Sequence, residues 1–141
     1  MSKDLQKITT FIAKHHVMSL ATSHEDNLSV CSLFFIYDER RHVFVVASSE
    51  KTTHIAHIKK SSKIAGNILL ETENIGEIKG LQFKGEFIPL EDKELKQAYF
   101  KRYPYALALM PKLWQINVNY FKLTDNALGF AKKIIWSGSS L

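Results

Sequence analysis
Four hydroxyl side chains and one lysine stand within six residues, at Ser48, Ser49, Lys51, Thr52 and Thr53. They follow the apolar, β-branched run Val43-Phe-Val-Val-Ala47 and precede a helically spaced segment. A strand that empties into hydroxyls and a positive charge at a helix start suits a phosphate group. Free backbone N–H groups and the positive end of the helix dipole both point there. The same residues also suit a plain helix cap with a solvated lysine. Two neighbouring features could complete a ligand site. Phe34 and Phe35 lie on the adjacent predicted strand, where a flat ring can rest against an aromatic side chain or the strand backbone; core packing is the other role open to them. Gly80-Leu-Gln-Phe-Lys-Gly85 sets the amide of Gln82 and the cation of Lys84 between two glycines.

Other chemistries have little to stand on. No Gly-x-Gly-x-x-Gly fingerprint, Gly-Lys-Ser/Thr loop or Gly-x-Ser-x-Gly elbow occurs. His54 and His57 are three apart on a predicted helix, but no cysteine or carboxylate joins them at ligand spacing, so no metal site is expected. His15 and His16, at a helix end, read as partners of the helix dipole. The single cysteine, Cys31, sits in an apolar run and reads as a reduced structural thiol. No side chain stands out as a catalytic acid or base.

The elements that must position these groups follow from periodicity. A chain of 141 residues with 45% hydrophobic and 23% charged content suits one domain, 1–141, that buries its own core. Residues 2–15 are predicted as an amphipathic helix capped by Ser2. Strands are predicted at 17–23, 28–37, 42–47, 63–70, 75–90, 114–120 and 128–136, the fifth with a bulge or close approach at Gly80 or Gly85; helices are predicted at about 50–60 and 92–103, the second stopped by Pro104, with one further turn over 105–110. The 28–37 run is apolar almost throughout, which implies that both its faces are covered: one by the core, the other by a partner chain or a ligand. The tail 137–141 is expected to fray. About seven strands with a few short helices point to a mainly β fold, a closed or half-closed antiparallel barrel. No apolar segment is long enough to span a bilayer and no cleavable leader is evident, so a cytoplasmic location is expected. The net charge of +5 rests on lysine; the only arginines are Arg40, Arg41 and Arg102. Base readout favours arginine, so nucleic acid is not the expected partner.

The order Leu33-Phe-Phe-Ile-Tyr-Asp, Val43-Phe-Val-Val-Ala-Ser-Ser-Glu-Lys-Thr-Thr-His, Gly80-Leu-Gln-Phe-Lys-Gly-Glu-Phe resembles the FMN-binding split barrels related to pyridoxamine 5′-phosphate oxidase. The C-terminal Phe121-Lys-Leu-Thr-Asp-Asn-Ala-Leu-Gly-Phe-Ala-Lys-Lys-Ile-Ile-Trp136 is similar to the small YhbP-like branch. The resemblance implies an antiparallel split barrel of this FMN-binding type, paired as a homodimer with the cofactor at the subunit interface. It implies a flavin-dependent oxidoreductase whose small-molecule substrate is unknown. By the same match, Ser48, Ser49, Lys51 and Thr52 correspond to the phosphate turn, and Ser32, Leu33 and Phe34 to the strand bordering the flavin ring. Gln82 corresponds to a strand position near the site, and Lys132, with Lys133, to a contribution from the last strand. The Arg-Leu-His-x-Arg type motif of the oxidases is replaced by Asn126-Ala-Leu-Gly-Phe-Ala-Lys132, so oxidation of pyridoxamine phosphate is not expected. Residues 28–37 also lack the arginine that helps hold FMN in the oxidases. Two alternatives remain. Relatives of this barrel use the dimer groove for haem, for which His54 and His57 are the candidate ligands although each reads as a helix-surface residue. Lys59, Lys60 and Lys63 could serve a non-enzymatic polyanion-binding module, or be a solvated helix end.

Overall fold
The structure is a computed structural model and describes residues 2–129 and 132–138. Residues 139–141 of the expected frayed tail, and Phe130 and Ala131 of the C-terminal motif, lie outside the described residues. Seven antiparallel strands are formed: β1 Val17–His24, β2 Asn27–Asp38, β3 Val43–Ala47, β4 Lys63–Leu70, β5 Lys79–Pro89, β6 Leu113–Asp125 and β7 Lys133–Ser137. Their order is β3-β2-β1-β4-β5-β6-β7, and a pairing of β3 with β6 closes the first six into a ring. Strand β6 is long enough to serve two neighbours on one edge. Residues 113–117 pair with β3, and residues 120–124 pair with β7. The mainly β, split-barrel expectation is borne out.

The inward residues of the ring, among them Leu20, Phe44, Phe83, Phe87, Ile116 and Phe121, make one core. The helices close it. α1, Lys3–Ala13, starts where the Ser2 hydroxyl accepts the Leu5 N–H at 3.1 Å, and buries Leu5, Ile8, Phe11 and Ile12. α2, Thr53–Ile58, adds Ile55 and Ile58 to the same core. α3, Lys93–Arg102, covers the other side of β3: Val43 and Val45 pack with Leu95, Tyr99 and Leu113. β3 is therefore buried on both faces within the chain, which is why it reads as an unbroken apolar run. After α3, Pro104 opens the further turn of helix, α4, Pro104–Leu107.

Three expectations need correction. The helix predicted from residue 50 begins only at Thr53, because the Thr52 hydroxyl caps it and residues 48–52 form a turn. The strand predicted over 75–90 starts with a 3₁₀ turn, Ile75–Glu77, and the one predicted over 128–136 begins only at Lys133, after a second 3₁₀ turn, Asn126–Leu128. Side-chain amide and carboxylate groups decide both places: Asn74 accepts the Gly76 N–H at 3.0 Å, and Asp125 accepts the Ala127 N–H at 2.9 Å. The period-two alternation of β6 also changes phase. Lys84 faces Tyr120 while Gly85 faces Val118, leaving Asn119 as an extra residue. Trp114, Ile116 and Val118 point inward before this bulge, and Phe121, Leu123 and Asp125 after it. Gly85 permits the bulge, since a Cβ there would collide with the Asn117 carbonyl oxygen.

Candidate functional site
The hydroxyl–lysine turn divides into an inner and an outer half. Ser48 is only 7% exposed, and its hydroxyl is bonded to Nε2 of His54. The Thr52 hydroxyl donates to the Ser49 carbonyl at 2.9 Å, accepts the Ile55 N–H at 3.4 Å, and lies 3.3 Å from the same His54 nitrogen. The hydroxyls of Ser48 and Thr52 thus shape the turn. Its solvent side is Ser49, Lys51 and Thr53. Glu50, the one acid here, is matched by Lys112 at 3.0 Å and Lys59 at 3.5 Å. Those lysines, Lys112 first, hold its carboxyl below the usual range. Lys51 makes no ion pair among the described residues. The turn is fastened to β6: the Ser48 N–H donates to the Lys112 carbonyl at 3.0 Å, and the Trp114 indole N–H donates to the Ser48 carbonyl at 2.9 Å.

The two histidines of α2 are not on the helix surface. His54 and His57 are both buried. His57 Nδ1 is 2.9 Å from the Thr22 hydroxyl of β1. Burial, with a smaller contribution from the charge of His57, holds the His54 imidazole below its ordinary pKa. Nε2 of His54 and Nδ1 of His57 are both engaged by hydroxyls within the chain. Positions 54, 55, 57 and 58 share one face of α2, and Ile55 and Ile58 carry the two histidines with them toward β1 and the core.

A broad face of the sheet is left uncovered. On β2, Cys31, Leu33 and Phe35 turn toward the core, while Leu28, Val30, Ser32 and Phe34 face outward, Val30 at 73% and Phe34 at 55% exposure. Only Ile36 finds cover, among the residues packed with α3. Register then aligns this face strand by strand. Ser32 lies opposite Ser19, Ser19 opposite Asn67, Asn67 opposite Gln82, and Gln82 opposite Lys122. At about 4.8 Å per strand, this polar row is roughly 19 Å long. A parallel row reads Val30, Ala21, Ala65, Lys84 and Tyr120, with the Lys84 ammonium 5.0 Å from the Tyr120 ring centre. Between the rows, Ser19, Ala21 and Ala65 are too small to fill the surface, and a hollow of about 480 Å³ results, bordered by Val30, Asn67, Gln82 and Lys84. At the Phe34 end, His16 stacks at 6.5 Å between ring centres and Tyr103 packs at 5.5 Å, its hydroxyl donating to the Phe35 carbonyl at 2.6 Å.

The structure therefore brings Ser32 and Gln82 onto one face, with Phe34 one row away. Leu33 points to the core and can meet an outer ligand only through its backbone. The β2–β3 register, with Phe35 opposite Val46, places the start of the Ser48 turn beside Phe34. Lys132 stands apart. Its carbonyl accepts the Asp125 N–H at 2.9 Å, at the far end of β6 from the turn, roughly 40 Å away along a 13-residue strand. Ser19, Asn67 and Lys122 were missed by sequence reasoning. They are far apart in the chain and become neighbours only through strand register. No group of three or more histidine, cysteine or acidic residues able to hold a metal is gathered among the described residues. No helix there is long and apolar enough to cross a membrane.

No family model matches the chain. It is 38% identical over 135 residues to a UPF0306 protein of Enterobacter sp. (strain 638), covering 94% of this chain and 95% of that protein. It is 34% identical over 139 residues to the UPF0306 protein YhbP of Escherichia coli (strain SMS-3-5 / SECEC), covering 96% and 95%. Among solved structures, a haem-binding protein from Mycobacterium smegmatis aligns with TM-score 0.79 at 14% identity, over 98% of this chain and 59% of that one. An FAD-binding protein from Mesorhizobium loti gives 0.69 at 12% identity, over 84% and 90%. A putative pyridoxamine 5′-phosphate oxidase from Listeria innocua also gives 0.69, at 14% identity, over 84% and 96%. The fold is the split barrel of the pyridoxamine-phosphate-oxidase-like proteins.

Proposed function
We propose, from the premise that the chain belongs to the UPF0306 family that includes the YhbP proteins, that it is an FMN-binding oxidoreductase working as a homodimer. The observation that carries this reading is the uncovered outer face: a shallow hollow made by small side chains, with a line of hydroxyl and amide groups at its border. The residues fit a flat heteroaromatic ring. Ser19, Ala21 and Ala65 leave room for it, Val30 and Phe34 give it apolar walls, and Ser32, Asn67 and Gln82 offer hydrogen bonds to its polar edge. Lys84 and Lys122 supply positive charge beside that edge, which favours an anionic reduced ring. Bound flavin would supply the electron-transfer chemistry. Ser49, Lys51 and the backbone of the turn would hold the phosphate, with Ser48 and Thr52 fixing the turn's shape. Within one chain Lys132 is remote from the phosphate turn; its own turn, where its carbonyl meets the Asp125 N–H, lies three residues beyond Lys122 at the opposite end of the polar row. Neighbours of the fold described as FAD-binding and haem-binding support a cofactor role in general.

The test is a titration of the purified protein with FMN, followed by its visible spectrum and by sedimentation. A saturable red-shifted flavin spectrum, weakened by Gln82→Ala and by Lys51→Ala in a protein that stays dimeric, is the expected result. Unchanged affinity in both variants would place the flavin elsewhere. Haem is the second reading, favoured by exposed His16 stacked beside Phe34. A Soret band with haemin that His16→Ala abolishes would select it over flavin.

A further inference from the structure
A second cleft, of about 790 Å³, runs between α1 and the strand ends at Leu70, Lys79 and Asp125. Lys3, Lys7 and Lys14 line it from the helix side and Lys79 from the sheet side. At 100° per residue the three helix lysines fall within about 40° of one another, and they span about 16 Å. The lining holds one acid, Asp125, which is already engaged. Its carboxylate meets Lys79 at 3.2 Å and accepts the Ala127 N–H at 2.9 Å. Lys3, Lys7 and Lys14 make no ion pair among the described residues.

Four lysines against one aspartate give this lining an excess of three charges, more than half of the molecule's net +5. A solvated lysine stripe accounts for the charge but not for what it borders. Phe11, Leu70, Leu123 and Leu128 form the apolar lining, and Leu70 and Leu128 remain open to solvent at 39% and 45%. Cations above an elongated apolar groove complement a molecule with a negative head and an apolar body. The volume also lies within the usual range of small-molecule sites.

We propose that this cleft binds a free anionic amphiphile of the fatty-acid type. Its chain lies along α1 over Leu70 and Leu128, and its carboxylate is met by the lysines of the helix. The site is separate from the outer sheet face and does not depend on flavin binding. Calorimetric titration with dodecanoate below its micelle concentration tests it. Saturable one-to-one binding is expected, at least tenfold weaker for dodecanol, which lacks the charge, and for acetate, which lacks the chain. The double variant Lys7→Ala/Lys14→Ala, altered only at exposed positions, should bind dodecanoate at least tenfold more weakly with an unchanged melting temperature. Equal binding of dodecanol would reduce the cleft to an apolar patch, and equal binding of acetate to a charged one; either overturns the proposal. So does full affinity in the double variant, or binding to anionic phosphatidylglycerol vesicles without binding of monomeric dodecanoate.

Discussion

Single side chains around the Ser48–Thr53 turn have two different jobs, and substitutions should separate them. Lys51 is exposed and makes no ion pair among the described residues, so Lys51→Ala should leave the melting temperature almost unchanged and weaken FMN about tenfold, as expected for one exposed charged hydrogen bond worth about 1.4 kcal/mol. Ser48 is buried against His54, so Ser48→Ala should instead lower stability by roughly 1–3 kcal/mol, the usual consequence of leaving a buried partner unsatisfied. Urea titrations of both variants beside FMN titrations decide between the roles. His54 also sets a pH dependence. Its imidazole is held below the ordinary value, so the unfolded chain takes up this proton first as pH falls. Stability from this group is complete above about pH 6.5 and declines as pH drops through the folded pKa below it. Melting temperatures between pH 7.5 and 5 should show that decline, and His54→Gln should lessen it; a flat wild-type profile would refute the assignment.

Among the elements, β6 carries the most structural information, and little of it was visible in the sequence. Its existence was plain from Trp114-Gln-Ile-Asn-Val-Asn-Tyr120. Gly80 and Gly85 marked where a bulge or close backbone approach could fall, and Gly85 is where it falls; that the extra residue is Asn119, on β6 across the sheet, was not legible. Gly85→Ala should therefore destabilise the barrel by about 1–3 kcal/mol, measured by denaturant titration, despite being the smallest possible change. The candidate site divides the same way. The hydroxyl–lysine turn and the doubly apolar β2 are local patterns and could be read directly. The outer row from Ser32 to Lys122 is a product of four strand registers, which periodicity leaves open. The burial of His54 and His57 escaped notice because the hydroxyls that satisfy them inside the barrel, Ser48 and Thr22, come from outside the helix, and Thr22 from a strand 35 residues away. Tyr103 shows how α3 reports to β2: Tyr103→Phe removes its hydroxyl bond to the Phe35 carbonyl and should cost about 1 kcal/mol.

At the scale of the whole molecule, the uncovered face is where the proposed homodimer is open to test. Leu28, Val30, Phe34 and Val17 lie together on β1 and β2, open to solvent in the single chain. Aspartate at Val17 or Leu28, outside the walls given to the ring, puts a charge where a second copy would dock on this face without touching the core. Either variant should sediment as a monomer, keep its secondary structure, and lose flavin affinity if the second subunit helps to build the site. A wild-type protein that is already monomeric at micromolar concentration would set the dimer aside and leave the hollow as a one-chain site.

The pairing of β3 with β6 joins residues about 70 positions apart. Such a closure is entropically late, so the ring should shut last in folding and open first in fluctuation. The Ser48 turn is tied to that seam through Lys112 and Trp114. Whatever grips the turn would also bolt the seam, and the amides of β3 should exchange their hydrogens with deuterium more slowly once it is held. The barrel's dwell time in the closed state would then measure occupancy of the turn, even for a ligand with no colour of its own.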